Sequence, residues 1–148
     1  MTSFFPDLNV WLALSVPDHT HQSEAWNWLN STTTDARLIF VRFTQIGLLR
    51  LLSNSAVMGA QTATLGEAWE LYDRWFEDPR VEFYPEPAGM EAALREATAP
   101  FDAKPASHWV GDCFLLANAK EFGAVLVTFD RALVSFARKH GCAAIIPS

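Results

Sequence analysis

Cysteine is scarce: Cys113 and Cys142 are the only two in 148 residues. A pair outside any cysteine motif excludes a disulfide scaffold and fits a reducing compartment such as the cytoplasm. None of the four histidines stands in a zinc-like pattern with them. Glycine is also sparse, at seven. No GxGxxG, GxSxG or P-loop pattern occurs, which argues against a dinucleotide cradle, a nucleophile elbow and P-loop chemistry. Long apolar runs are missing, and nothing approaches the roughly 20 residues that a bilayer crossing needs. The apolar stretch Phe4–Val16 lacks a basic leader and is interrupted by Asp7, which argues against a secretory signal. Basic residues are few: 11 Lys and Arg stand against 17 Asp and Glu, a net charge of -6. That balance excludes broad electrostatic gripping of nucleic acid, though not contact through a few arginines.

What the chain does hold is apolar bulk. Half of its residues are hydrophobic, with six Trp and eleven Phe, enough to fill the core of one domain over residues 1–148. The prolines between Pro79 and Pro105 read as loops inside that domain. Strands are expected at Ser3–Pro6, Leu38–Val41, Val81–Tyr84, Ala124–Phe129 and Ala143–Ile146. Helices are expected at Val10–Ser15, Ser23–Asn30, Thr44–Leu52, Thr64–Glu77, Gly89–Ala97, Val110–Phe122 and Arg131–His140. In Thr64–Glu77, residues Leu65, Ala68, Trp69, Tyr72, Trp75 and Phe76 share one face. That stripe is expected in the core, and its Trp and Tyr also suit an interface. Strands alternating with helices predict an α/β fold with a mostly parallel sheet. The run AVLVTF has no polar alternation, as for a strand covered on both faces.

Three acids stand where a plain core would not want them. Asp130 directly follows AVLVTF, and Asp7 directly follows the first strand. In open parallel sheets, sites form at the carboxyl ends of strands. Asp112 shares a helix face with Leu115, Leu116 and Ala119, so its carboxylate points toward the core edge. Taken singly, each reads first as a helix cap or a dipole partner. Taken together, carboxylates converging on a low-dielectric edge repel one another. A hard cation such as Mg²⁺ relieves that repulsion and can act on a phosphodiester.

The segments FFPDLNVWLAL, FTQIGLLRLL, GDCFLLANAKEFG and AVLVTFDRAL, in this order, resemble the PIN-domain ribonucleases of the VapC toxin type. The resemblance implies a Rossmann-like parallel sheet flanked by helices on both faces. It implies an endoribonuclease dependent on Mg²⁺ or Mn²⁺ that cuts structured RNA such as tRNA or rRNA. It also implies a cytoplasmic toxin, often a homodimer, neutralised by a small VapB-like antitoxin. Carried over by position, Asp7, Asp112 and Asp130 are the expected metal ligands and catalytic acids. Asn9 orders the first loop, and Thr128 is a small hydroxyl residue beside the site. Where the family commonly has a Glu, this chain has Gln45, a neutral and poorer Mg²⁺ ligand, expected to point toward the site edge. Pro6 is a second departure, since it removes a ladder donor from a central strand.

Arg50 and Arg131 are candidate contacts for RNA phosphates, with Arg42 nearby. Arg138 and Lys139 read as ordinary surface charge, His19 and His21 as surface or capping residues, and Cys113 as core. Two other readings stay open: a binding or regulatory module that lost catalysis through Gln45, and a PIN nuclease in DNA or RNA processing without an antitoxin.

Overall fold

The computed structural model describes all residues, Met1–Ser148. Five strands form one sheet: β1 (Ser3–Pro6), β2 (Arg37–Phe40), β3 (Val81–Phe83), β4 (Val125–Val127) and β5 (Ala144–Ile145). Every pairing is parallel, and the order is β3-β2-β1-β4-β5. Eight helices connect them: α1 (Leu8–Ser15), α2 (Gln22–Ser31), α3 (Arg42–Leu52), α4 (Ser55–Met58), α5 (Leu65–Trp75), α6 (Met90–Thr98), α7 (Val110–Phe122) and α8 (Arg131–Lys139). No helix is long and apolar enough to cross a membrane.

The strands read as unbroken apolar runs because both faces are covered. Phe4, Leu38, Phe40 and Val127 pack under α1, α2, α3 and α5, against Trp11, Trp28, Leu48 and Tyr72. Phe5, Ile39 and Leu126 pack on the opposite face against Leu115, Leu116, Leu133 and Ala137 of α7 and α8. Trp11 is fully buried and stacks on Phe40 with ring centroids 4.0 Å apart, a pairing worth about 1 kcal/mol beyond its buried area. Gly123 turns α7 into β4 with a left-handed φ of 61°, a conformation that side chains penalise.

Two expectations change here. The α5 stripe is only partly core: Ala68 and Tyr72 are buried, whereas Leu65 and Trp69 are exposed. The stripe is wider than the strip of α5 that the sheet and α3 can cover, so its outer edge is left in solvent. Arg138 is not free surface charge, because its Nε and Nη2 both donate to the Ala144 carbonyl and latch α8 to β5.

Pro6 acts as expected. β1 pairs with β4 through Phe4, Phe5 and Pro6, but with β2 only through Ser3 and Phe4. Main-chain N–H groups alternate between the two neighbours of a parallel strand. The Asp7 N–H donates to Val127 on β4, so the donor that Pro6 lacks faces β2. The β1–β2 ladder stops there.

Candidate active site

From β1 the strands step outward through β2 to β3, and the chain then returns to the other side of β1 with β4. The order therefore reverses between β1 and β4. A crevice opens beyond the carboxyl ends of strands at such a reversal, where α/β proteins bind ligands. Asp7 follows one of these two strands, and Asp130 lies just beyond the other.

A buried hydroxyl joins the two ends. Thr128 has no exposed surface, and its Oγ1 donates to Asp7 Oδ2 at 2.8 Å. The same oxygen accepts the Asn9 Nδ2 at 3.2 Å and the Asp130 main-chain N–H at 3.1 Å. Asn9 Oδ1 in turn accepts the Phe129 N–H at 3.3 Å. The first turn of α1 and the loop after β4 are thus cross-linked side chain by side chain. Asp7 also caps α1, its Oδ1 accepting the Leu8 N–H at 2.6 Å. Asp130 caps α8, its Oδ1 accepting the Ala132 and Leu133 N–H groups at 2.9 and 3.1 Å. Its Oδ2 makes no hydrogen bond within the chain and faces solvent on an exposed residue.

Asp112 enters from the first turn of α7 and is half-buried. Burial pushes its carboxyl up to about 6, and the charges of Asp130 and then Asp7 add to the rise, while His108 opposes it. Asp7 is likewise held above the usual carboxylate range, first by burial and also by Asp130, against the pull of its Thr128 and Leu8 hydrogen bonds. The three carboxylates therefore sense one another across one edge. They are not gathered into a ready-made metal cage, since no cluster of three His, Cys, Asp or Glu side chains is close enough to enclose an ion. An oxygen-only donor set with mutual repulsion suits Mg²⁺ or Mn²⁺, because Mg²⁺ takes one or two carboxylates and keeps several waters.

Gln45 has a partner that its sequence position does not reveal. It is buried, and its Oε1 accepts Arg42 Nη1 at 2.5 Å. No hydrogen bond joins it to Asp7, Asp112 or Asp130. The cause is local: the Arg42 guanidinium, lying over the Phe83 ring at 4.8 Å, offers the donor that a buried amide oxygen requires. Arg131 is exposed at the start of α8, next to Asp130. Arg50 is exposed and lines a groove with Leu8, Gly47, Ser53 and Asn54. Two aromatic neighbours left no mark in the sequence. The His21 ring stacks on Phe129 at 4.4 Å, between Thr128 and Asp130. Phe43 is half-exposed and packs near Gly111, which precedes Asp112. Both contacts join residues far apart in the chain, so neither spacing nor periodicity could reveal them.

The family model described as PIN domain matches residues 4–139. The chain is 36% identical over 139 residues to ribonuclease VapC41 of Mycobacterium tuberculosis, covering 88% of this chain and 90% of that one. It is 31% identical over 137 residues to ribonuclease VapC39 of the same organism, covering 88% and 91%. Among solved structures it is similar in fold to VapBC2 of Rickettsia felis bound to a promoter DNA fragment, with a TM-score of 0.73 at 13% identity, covering 99% and 100% of the two chains. It is also similar to M. tuberculosis VapC20, described as a sarcin-ricin loop cleaving toxin, with a TM-score of 0.67 at 16% identity, covering 97% and 99%.

Proposed function

The chain belongs to the PIN-domain family and, within it, to the VapC-type ribonucleases; from that premise we propose that it is a metal-dependent endoribonuclease and the toxin of a toxin–antitoxin pair. The observation that carries this reading is the pairing of Asp7 and Asp130 through Thr128 at the strand-order reversal, with Asp112 facing them.

Asp7, Asp112 and Asp130 would hold the cation. Bound there, Mg²⁺ or Mn²⁺ supplies Lewis acidity at the phosphate and makes water a better nucleophile. The chain's own groups do the rest. Thr128 fixes the rotamer of Asp7, and Asn9 fixes the loop that carries Asp130. No Ser, Cys or His is placed as a nucleophile. Arg50 and Arg131 flank the edge as phosphate contacts, which confer affinity without a broad basic face. The substrate is a structured RNA such as tRNA or rRNA, cut where bases are unpaired; the description of VapC20 supports this class.

A small VapB-like antitoxin is the expected partner, as the named VapBC2 complex supports. The exposed Leu65 and Trp69 of α5 support a protein-contacting face for it or for a second copy in a homodimer. A cytoplasmic setting fits two free thiols.

The test is sequencing of RNA 5′ ends after brief expression of wild type, Asp7→Ala and Asp130→Asn, with purified protein assayed with and without EDTA. Discrete new ends are expected with wild type alone, and cleavage that EDTA abolishes and Mg²⁺ restores. Equal cleavage by the variants, or cleavage indifferent to EDTA, overturns the reading.

A further inference from the structure

A cavity of about 280 Å³ opens between the start of α3, the end of β3 and the middle of α7. It lies on the same sheet edge as the three aspartates, because all strands are parallel. Its walls are aromatic: Phe43, Phe83 and Phe114 line it, with Arg42 and Glu86 toward solvent. Phe43 is 46% exposed although it is a large apolar side chain. Its ring sits 5.1 Å from that of Phe114 and lies 3.9 Å from where a side chain on Gly111 would begin. Gly111 immediately precedes Asp112, so this flat face stands one residue from a candidate metal ligand.

The polar group at the base of the cavity is Asn118, which is 1% exposed. Its Nδ2 donates to the Phe114 carbonyl at 2.8 Å. Its Oδ1 accepts no hydrogen bond from the chain. That oxygen is not sealed in the core, so it is open to a donor that enters the cavity. At the rim, Arg42 is held in place by Gln45 and by the Phe83 ring. This leaves guanidinium N–H groups for an acceptor.

We propose that this cavity takes one unstacked nucleobase of the RNA, next to the cleaved bond. The proposal rests on the ribonuclease reading above and adds where its sequence or loop preference arises. A planar base offers a face to Phe43, N–H or amine donors to Asn118 Oδ1, and ring or carbonyl acceptors to Arg42. A phosphate is a poorer occupant, because the walls are apolar and Glu86 at the rim repels it. The tethering of Arg42 also gives Gln45 a role, as a positioning residue for this cavity.

The test uses the full chain with Mg²⁺ and an RNA hairpin chosen, for cleavage by wild type, from a structured pool randomised in its unpaired loop. Each position is replaced in turn by an abasic ribose. One abasic position beside the cleaved bond is expected to lower kcat/KM roughly tenfold with wild type, the worth of one base–aromatic stack. With Phe43→Ala that position loses its penalty, and Phe43→Trp restores it. Anisotropy of the labelled oligonucleotide in EDTA is expected to show the same pattern in affinity. Phe43 is exposed, so neither variant threatens the fold, and a matching Tm confirms this. An abasic profile identical in wild type and Phe43→Ala overturns the cavity assignment while the ribonuclease reading stands. Loss of antitoxin binding by Phe43→Ala with an unchanged profile reassigns the face to protein contact and also overturns it. If no RNA in the pool is cut by wild type, the ribonuclease reading fails and the cavity assignment with it.

Discussion

The hydroxyl of Thr128 donates to Asp7 Oδ2 at 2.8 Å across 121 positions of chain. This bond closes the edge where the strand order reverses, and it holds the carboxylate in one rotamer. Thr128→Val keeps the shape and removes the donor. It leaves a partly buried carboxylate oxygen short of one bond, at a cost of about 1–3 kcal/mol. We expect kcat to fall with little change in KM, and Thr128→Ser to recover most of it. Steady-state kinetics on one RNA substrate will check this; equal activity of the Val and Thr forms contradicts the positioning role.

Asp130 has two separable duties, since Oδ1 caps α8 and Oδ2 is free. Asn caps nearly as well as Asp, while Ala loses about 1 kcal/mol. Asp130→Asn is therefore expected to abolish cleavage with a near-native Tm, and Asp130→Ala to abolish cleavage with a lowered Tm. Thermal unfolding beside the RNA assay separates the two duties. A strongly destabilised Asn form would show that the cap depends on the charge.

The raised Asp112 carboxyl makes a prediction in pH. In the unfolded chain an Asp titrates near 3.9, and in the fold Asp112 titrates at about 6. Between those values the folded state binds the extra proton, so this group lowers stability progressively as pH rises from about 4 to 6, and the loss persists above. Asp112→Asn should raise Tm at pH 7.5 and leave it unchanged near pH 3.5. Adding Mg²⁺ at pH 7.5 should raise the wild-type Tm and raise that of Asp112→Asn less. Scanning calorimetry at the two pH values decides; a variant less stable at pH 7.5 contradicts the repulsion.

Gln45 is bonded to Arg42, and no hydrogen bond joins it to the aspartates. Gln45→Glu is therefore expected to pair with Arg42 and to leave the Mg²⁺ concentration for half-maximal cleavage within about twofold of wild type, since a side chain outside the coordination sphere does not change the ligand count. A markedly tighter Mg²⁺ dependence would place position 45 in the metal site.

The α/β alternation and the strand-end position of Asp7 and Asp130 were legible because both follow from local rules: apolar runs for covered strands, and chain order for the edge they reach. Asp112 was legible because a helix face repeats every few residues. For Gln45 the same rule places the side chain on the buried face of α3 but does not give its partner, which is Arg42. The Leu65 and Trp69 exposure escaped for a similar reason, since a stripe does not say how wide its cover is. The one-turn helix α4 was missed because four residues carry no periodicity, although Asn54 caps it. The Asn118 cavity was invisible because its walls come from three separate segments.

Pro6 gives the sheet a seam. Beyond Phe4, β1 is laced to β4 and unlaced from β2. At the level of the ladder, Asp7 and Asp130 therefore belong to one side of the seam and the α3 edge with Arg42 and Phe43 to the other, although α1 packs on α3 across it. Past Phe4, the two sides of the sheet meet through side chains rather than through ladder bonds.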